Sequence, residues 1–247
     1  MENKKDYKLL PPAAAALGLL GLVLRKWLYV VGPDGRKLLP LWHPLEIALW
    51  AVTAAAVLLV LLSLRGLEPI RGYGRNYPDS MLPAVGCIVM GLGLGATVFL
   101  GWRDGSAGLT EELLGALGAV SLFLVAACRI QRKRPSWVLH SLVCVFFALH
   151  LISRYQAWSG NPQTQDYVFS LLSCVTLMLF AYHQAAFDAG CGHRRSQVSW
   201  GLLSGYFCLV ALSSTENDML YGTGAIWCLT NLCTLAPPPR FGEREVV

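Results

Sequence analysis

Charge is scarce in this chain. Asp, Glu, Lys and Arg together make up 14% of its 247 residues, whereas apolar residues make up 55%. A soluble domain carries about 25% charged residues, so a water-facing globule is excluded as the main body. Lysine does not occur after Lys133, which leaves the late segments without a Schiff-base lysine for retinal. A Gly-x-x-x-x-Gly-Lys phosphate loop is missing, and so is an arginine-rich voltage-sensing helix. Ser204-Gly205 has no histidine after it, which disfavours a rhomboid-like serine–histidine pair. No Asn-x-Ser/Thr acceptor, fixed-period repeat, low-complexity tract or linker to a second domain is visible.

What the chain does have is long apolar runs, about eight of them, separated by short charged loops. A helix needs about 20 apolar residues to cross a bilayer. The runs fall at approximately 10–31, 44–64, 80–102, 113–130, 137–153, 167–186, 199–214 and 219–235, and are numbered here as spans 1 to 8. With connections this short, no soluble domain remains to bury them. The expected fold is all-α: a polytopic bundle of about eight transmembrane helices in one integral membrane domain over residues 1–247. Pro11-Pro12 and the early Ala13 to Ala16 argue against a cleaved signal peptide, so the first run counts as a span. It is interrupted by Arg25 and Lys26, which are expected to snorkel outward. The β-prone flanks of the Pro33-Asp34-Gly35 turn predict a short external β-hairpin over Tyr29 to Leu39. His43-Pro44-Leu45-Glu46 reads as a helix start, with proline in the first turn and an acid at the positive end of the dipole.

The basic residues are unevenly shared. Fourteen lie at the termini and in loops 2–3, 4–5 and 6–7, and six lie in the alternate loops. Basic residues gather on the cytoplasmic side, so both termini are expected there, in a cell membrane of the bacterial cytoplasmic kind. The net charge of +5 then reflects topology and not nucleic-acid binding. Trp42, Trp102, Trp137, Trp200, Tyr155, Tyr167 and Tyr221 sit at span ends, where amphipathic rings prefer the headgroup level. Of the eight cysteines, six lie within spans, Cys128 near the end of span 4 and Cys191 in a loop assigned to the inside. None is external, so no disulfide framework is expected. The expected partners are the lipid bilayer and a membrane protein docked on Gly91/Gly95 or Gly201/Gly205, whose Gly-x-x-x-Gly spacing lets helices approach closely.

Ionisable groups inside a membrane are candidate functional sites. In span 5, His140, Cys144, Phe147, Leu151 and Arg154 share one helical face, with His150 beside it. In span 6, Ser170, Cys174, Gln184 and Asp188 line a face, with Ser173 next to it and His183 pointing elsewhere. In span 8, Thr223, Trp227, Thr230 and Thr234 form a stripe close to Asn231. Together these predict a polar seam among spans 5 to 8, with His140, Arg154, Gln184, Asp188, Thr230 and Asn231 as binding residues. Arg154 is expected to meet an external carboxylate, Glu111, Glu112 or Asp166. The plainer reading is that the same groups join helices by hydrogen bonds. His183, Cys191 and His193 do not form a recognised ligand spacing, and neither a metal nor a cofactor is expected.

Glu111-Glu112 at the start of span 4 and Phe146-x-x-x-His150 in span 5 resemble two motifs of the CAAX-type intramembrane glutamic peptidases. In that family a glutamate pair activates water and histidines assist. The resemblance implies Glu111, Glu112 and His150 as catalytic candidates. The chain departs from the pattern at Ala116, where arginine is expected, and at Gln197, where the asparagine of a His-x-x-x-Asn would follow His193. The expected function is therefore a non-catalytic binding, transport or accessory membrane component. An intramembrane hydrolase and a structural partner subunit are the alternatives.

Overall fold

The computed structural model describes residues 9–31, 43–64, 81–105, 108–158, 164–213 and 218–234. These form eight helices, α1 Leu10–Val31, α2 Pro44–Leu64, α3 Leu82–Asp104, α4 Leu109–Ile130, α5 Trp137–Trp158, α6 Thr164–Ala189, α7 Arg194–Ala211 and α8 Asp218–Cys233. Each corresponds to one span of the sequence. The described residues contain no strand. Tyr29 to Val31 are the last turn of α1, which corrects the expected hairpin: the apolar run from Leu10 simply continues as helix. Residues 32–39 of that hairpin lie outside the described residues.

Six helices, α1 to α6, are long and apolar enough to cross a membrane. The last two differ for a physical reason. α7 is 18 residues long and buries twelve of them, because α1, α2, α6 and α8 all pack against it. A helix screened from lipid by protein can carry Arg194, Gln197 and Ser204. α8 has 16 residues, or about 24 Å at 1.5 Å per residue, against a hydrocarbon core of about 30 Å.

Contacts between neighbours run α3–α4, α4–α5, α5–α6, α6–α7, α7–α8 and α8–α3. Six helices thus close into a ring, and α1 and α2 dock on its α7 side. Met90, Leu94, Leu122, Phe146, Phe147, Leu177, Phe180, Tyr221 and Trp227 fill the ring's interior. The outer skin is apolar too: Leu92, Phe99, Leu117, Val120, Leu124, Ile152 and Ile226 are exposed, as bilayer-facing residues should be.

Glycine sets two close approaches. Gly86 and Gly93 of α3, seven residues apart, face Thr230 and Thr223 of α8, also seven apart and running the other way. Side-chain atoms of the two threonines occupy the space a Cβ would need at either glycine. Each hydroxyl donates to a carbonyl of its own helix, Thr223 to Met219 at 2.7 Å and Thr230 to Ile226 at 2.7 Å, so the threonine oxygens that face the glycines have their protons engaged. Gly91 meets Phe123 and Ala119 of α4, while Gly201 meets Phe180 and Leu232 and Gly205 meets Leu229. The atoms nearest these three are apolar side chains and a backbone carbonyl of neighbouring helices.

Arg25 departs from expectation. Lys26 is exposed, but Arg25 is buried. It donates to the Val210 carbonyl at 3.4 Å and to the Tyr29 hydroxyl at 3.2 Å, and lies 5.0 Å above the Phe169 ring. The buried positions of α1 explain this: Pro11, Ala14, Gly18, Gly21, Arg25 and Leu28 recur every three or four residues, so Arg25 belongs to the stripe that packs on α7. Tyr221 is another correction. It is fully buried inside the bundle and so is not a lipid-facing anchor, because it stands on the ring face of α8.

Candidate functional site

Polar and ionisable side chains collect inside the ring at two levels, each built around a histidine of α5. Near the start of α5, His140 Nδ1 lies 2.5 Å from Asp188 Oδ2, and both side chains are fully buried. A carboxylate only accepts, so the ring donates through Nδ1. Asp188 sits in the last turn of α6, where the helix dipole is negative and disfavours an anion. The imidazole compensates for that placement. His140 also stacks on Trp227, at 6.2 Å between centroids and 13° between planes, and Trp227 meets Phe180 edge-on at 4.9 Å. The Cys87 thiol of α3 lies against both rings. His140 Nε2, Trp227 Nε1 and Asp188 Oδ1 have no hydrogen bond of good geometry.

One turn away, Arg129 of α4 reaches into the same level. Its guanidinium donates to Asn231 Oδ1 at 2.6 Å and to Gln184 Oε1 at 3.2 Å, and Gln184 donates to Asn231 at 3.3 Å. Asn231 in turn donates to the Trp227 carbonyl at 2.7 Å. α7 adds Arg194 and Gln197, both buried. The approach of Gly201 to Phe180 fixes an antiparallel register that sets Gln197 opposite Gln184. Neither Gln197 side-chain atom has a hydrogen bond.

At the other end of the ring, His150 Nδ1 lies 2.5 Å from Glu111 Oε1. Glu111 opens α4, where the positive end of the helix dipole favours it, and its side chain is 14% exposed against 1% for His150. Ser153 and Arg154 stand beside this carboxylate. Phe146 stacks on His150 at 5.5 Å, and the Cys174 thiol of α6 lies against the imidazole. Cys174 is 3.7 Å from the Tyr221 hydroxyl, which Ser170 also approaches.

Of the residues expected from sequence, His140, Gln184, Asp188 and Asn231 come together at one level. Arg154 is half-buried at the other level, beside Glu111. Thr230 serves the α3–α8 seam instead, because its hydroxyl is turned back onto its own helix. The two adjacent glutamates separate: Glu111 takes His150, and a residue 100° further round the helix, Glu112, does not. Sequence reasoning missed Arg129, Arg194, Gln197 and Cys87. At the end of its apolar run Arg129 reads as a loop charge, yet Gly115, Gly118, Leu122, Val125 and Arg129 are all buried at spacings of three and four, the signature of an inward stripe. Arg194, Gln197, Gly201, Ser204 and Cys208 repeat that spacing on α7. Among the described residues no group of three or more His, Cys, Asp or Glu side chains is arranged to hold a metal ion, and all eight cysteines are free.

No family model matches the chain, and neither a curated protein nor a solved structure is similar to it.

Proposed function

We propose that this multi-pass membrane protein is a transport-type component that binds and passes protons through the interior of its α3–α8 ring, without covalent catalysis. The observation that carries this reading is the pair of histidine–carboxylate contacts, Glu111–His150 and His140–Asp188, set at two levels along one helix. Ten residues separate the two histidines, about 15 Å along α5. Desolvating a charge costs several kcal/mol unless it is well paired, and ionisable groups inside a membrane mark ion and proton pathways. Packing between the levels is tight, with Leu122, Val143, Phe147, Leu177 and Phe180 fully buried. A proton is the solute that needs no cavity, because a lone pair suffices to hold it.

The test is proton flux. The full-length chain is reconstituted into liposomes holding a pH-sensitive dye, an acid step is applied outside, and potassium with valinomycin clamps the potential. Internal acidification faster than in protein-free liposomes is the expected result, and Glu111→Gln and Asp188→Asn should each remove the difference. Flux equal to that of empty liposomes at verified incorporation would reject the reading.

A further inference from the structure

The level around Arg129 holds more positive than negative charge. The guanidiniums of Arg129 and Arg194 and the carboxylate of Asp188 are all buried there. Asp188 is the only acid among the described residues at this end of the ring, and His140 holds it at 2.5 Å. Arg129 donates to Asn231 Oδ1 and Gln184 Oε1, amide oxygens that satisfy N–H groups without cancelling a charge. Two guanidiniums against one carboxylate leave one positive charge when His140 is neutral. α7 begins at Arg194 with no side-chain cap, so the positive end of its dipole adds to the excess. In a low-dielectric interior such an excess is costly unless an anion joins it.

The second observation is Gln197. Its side chain is fully buried, and neither the amide nitrogen nor the amide oxygen has a hydrogen bond. Buried polar groups are almost always satisfied, so an orphan marks a place where a water or an ion binds. Arg194, Gln197, Gly201 and Ser204 form the buried stripe of α7. Gly201 stands between Phe180 of α6 and Leu232 of α8. Gln197, one turn before it, faces the gap between those helices, where Gln184 meets Asn231. A basic rim surrounds this end of the ring. Arg134 of the α4–α5 connection lies 3.0 Å from where a Cβ of Gly190 would stand, and Arg132, Lys133, Arg134 and Arg195 are exposed. Clustered cations raise the local concentration of anions.

We propose that Arg129, Arg194 and Gln197 bind one small monovalent inorganic anion of the halide class inside the ring, beside Gln184 and Asn231. Charge sets the valence, since a single negative charge brings the level to neutrality and a divalent anion overshoots it. Donor chemistry sets the sign. Guanidinium groups only donate, and the Gln197 amide nitrogen adds a further N–H donor, a set that attracts an acceptor-only ion and repels a metal cation. Packing sets the size: a halide needs room comparable to that of a water molecule, not a ligand-sized cavity. Binding requires no proton movement, so this site stands or falls apart from the proton-transport reading.

Two measurements on the purified full-length chain test the site. One is equilibrium binding of radiolabelled chloride in a chloride-free gluconate buffer. The other is thermal unfolding in chloride, sulfate or gluconate at matched ionic strength. Chloride should bind saturably and raise the unfolding temperature, because a ligand of the folded state stabilises it, whereas sulfate and gluconate should not. Gln197→Leu should weaken chloride binding about tenfold, the loss of one hydrogen bond to a charged group. Arg194→Gln, which removes the charge excess, should abolish it. Gln197→Glu brings its own anion into the site. It should bind no chloride and should unfold in gluconate at the temperature the wild type reaches only in chloride. That gain of stability cannot come from a damaged fold. Gly95→Ala, away from the site, should bind chloride as the wild type does. A folded wild type without saturable chloride binding, or with the same unfolding temperature in all three salts, overturns the proposal and leaves Gln197 as a water site. A Gln197→Glu chain that is less stable than the wild type in gluconate, or still binds chloride, overturns it as well.

Discussion

At the residue scale, two buried acid–base pairs differ in how much they depend on their partner. His140–Asp188 is wholly enclosed, and Asp188 stands at the unfavourable end of a helix dipole. Removing His140 leaves a desolvated carboxylate facing that dipole, a loss expected to cost about 3–5 kcal/mol. We predict a marked fall in the detergent unfolding temperature of His140→Ala, and a smaller one for the apolar double variant His140→Leu/Asp188→Leu. A double variant as unstable as the single would show that the pair itself matters less than the volume it fills. Glu111–His150 should be more forgiving. Glu111 is partly exposed, has Arg154 nearby and sits at a favourable helix end, so Glu111→Gln should unfold within a few degrees of wild type. Arg25 belongs to the same scale. Arg25→Ala removes a guanidinium that fills space between α1, α7 and Phe169, whereas its neighbour Lys26 is exposed. We expect Arg25→Ala to lower the unfolding temperature and Lys26→Ala to leave it unchanged, since surface substitutions usually fall within about 0.5 kcal/mol.

At the element scale, the α3–α8 seam is the most exacting contact. Threonines at 223 and 230 fill the room left by glycines at 93 and 86 in matching antiparallel register, and overpacking a tight contact costs about 1–3 kcal/mol. Gly93→Ala should therefore destabilise the bundle, and pairing it with Thr223→Ala should recover much of the loss. Gly95→Ala, where a Cβ meets nothing within 4 Å, should be neutral. A neutral Gly93→Ala would mean that α3 and α8 stand further apart than described. Sequence had singled out Gly91 and Gly95 by their Gly-x-x-x-Gly spacing. The seven-residue spacing of Gly86 and Gly93 was equally present but had meaning only once a second helix with the same spacing lay across from it. Beside this seam, Leu92, Leu209, Leu212, Met219 and Leu229 line an apolar groove of about 600 Å³ that also includes Gly93 and Thr223.

At the scale of the whole molecule, the basic asymmetry and the eight helices make one further expectation. Both termini and the loop at 190–193 should report on the same side of the membrane, and the loop at 214–217 on the other, in cysteine-labelling of intact cells. Labelling of 190–193 and 214–217 from the same side would mean that α7 and α8 do not both cross. The sequence by itself determined that this is a helical membrane bundle and where six of the eight described helices begin and end to within four residues, α5 and α7 each departing by five at one end. Apolar run length and the cost of unpaired backbone in lipid leave few alternatives. It also revealed that His140, Gln184, Asp188 and Asn231 are polar groups in apolar surroundings. It did not determine which of them meet. Helical periodicity gives each residue an angle around its own axis, but pairing depends on the order in which helices stand around the ring and on their relative depth. Those are decided by interhelical packing such as glycine against threonine at the α3–α8 seam. Only the closed ring turns Arg129 inward from what reads as a loop charge, hands His150 to Glu111 instead of Glu112, and sets Cys228 of α8 against Ser204 of α7. Only the shielding of α7 by four neighbours explains how a helix with so polar a beginning holds the centre of a membrane protein.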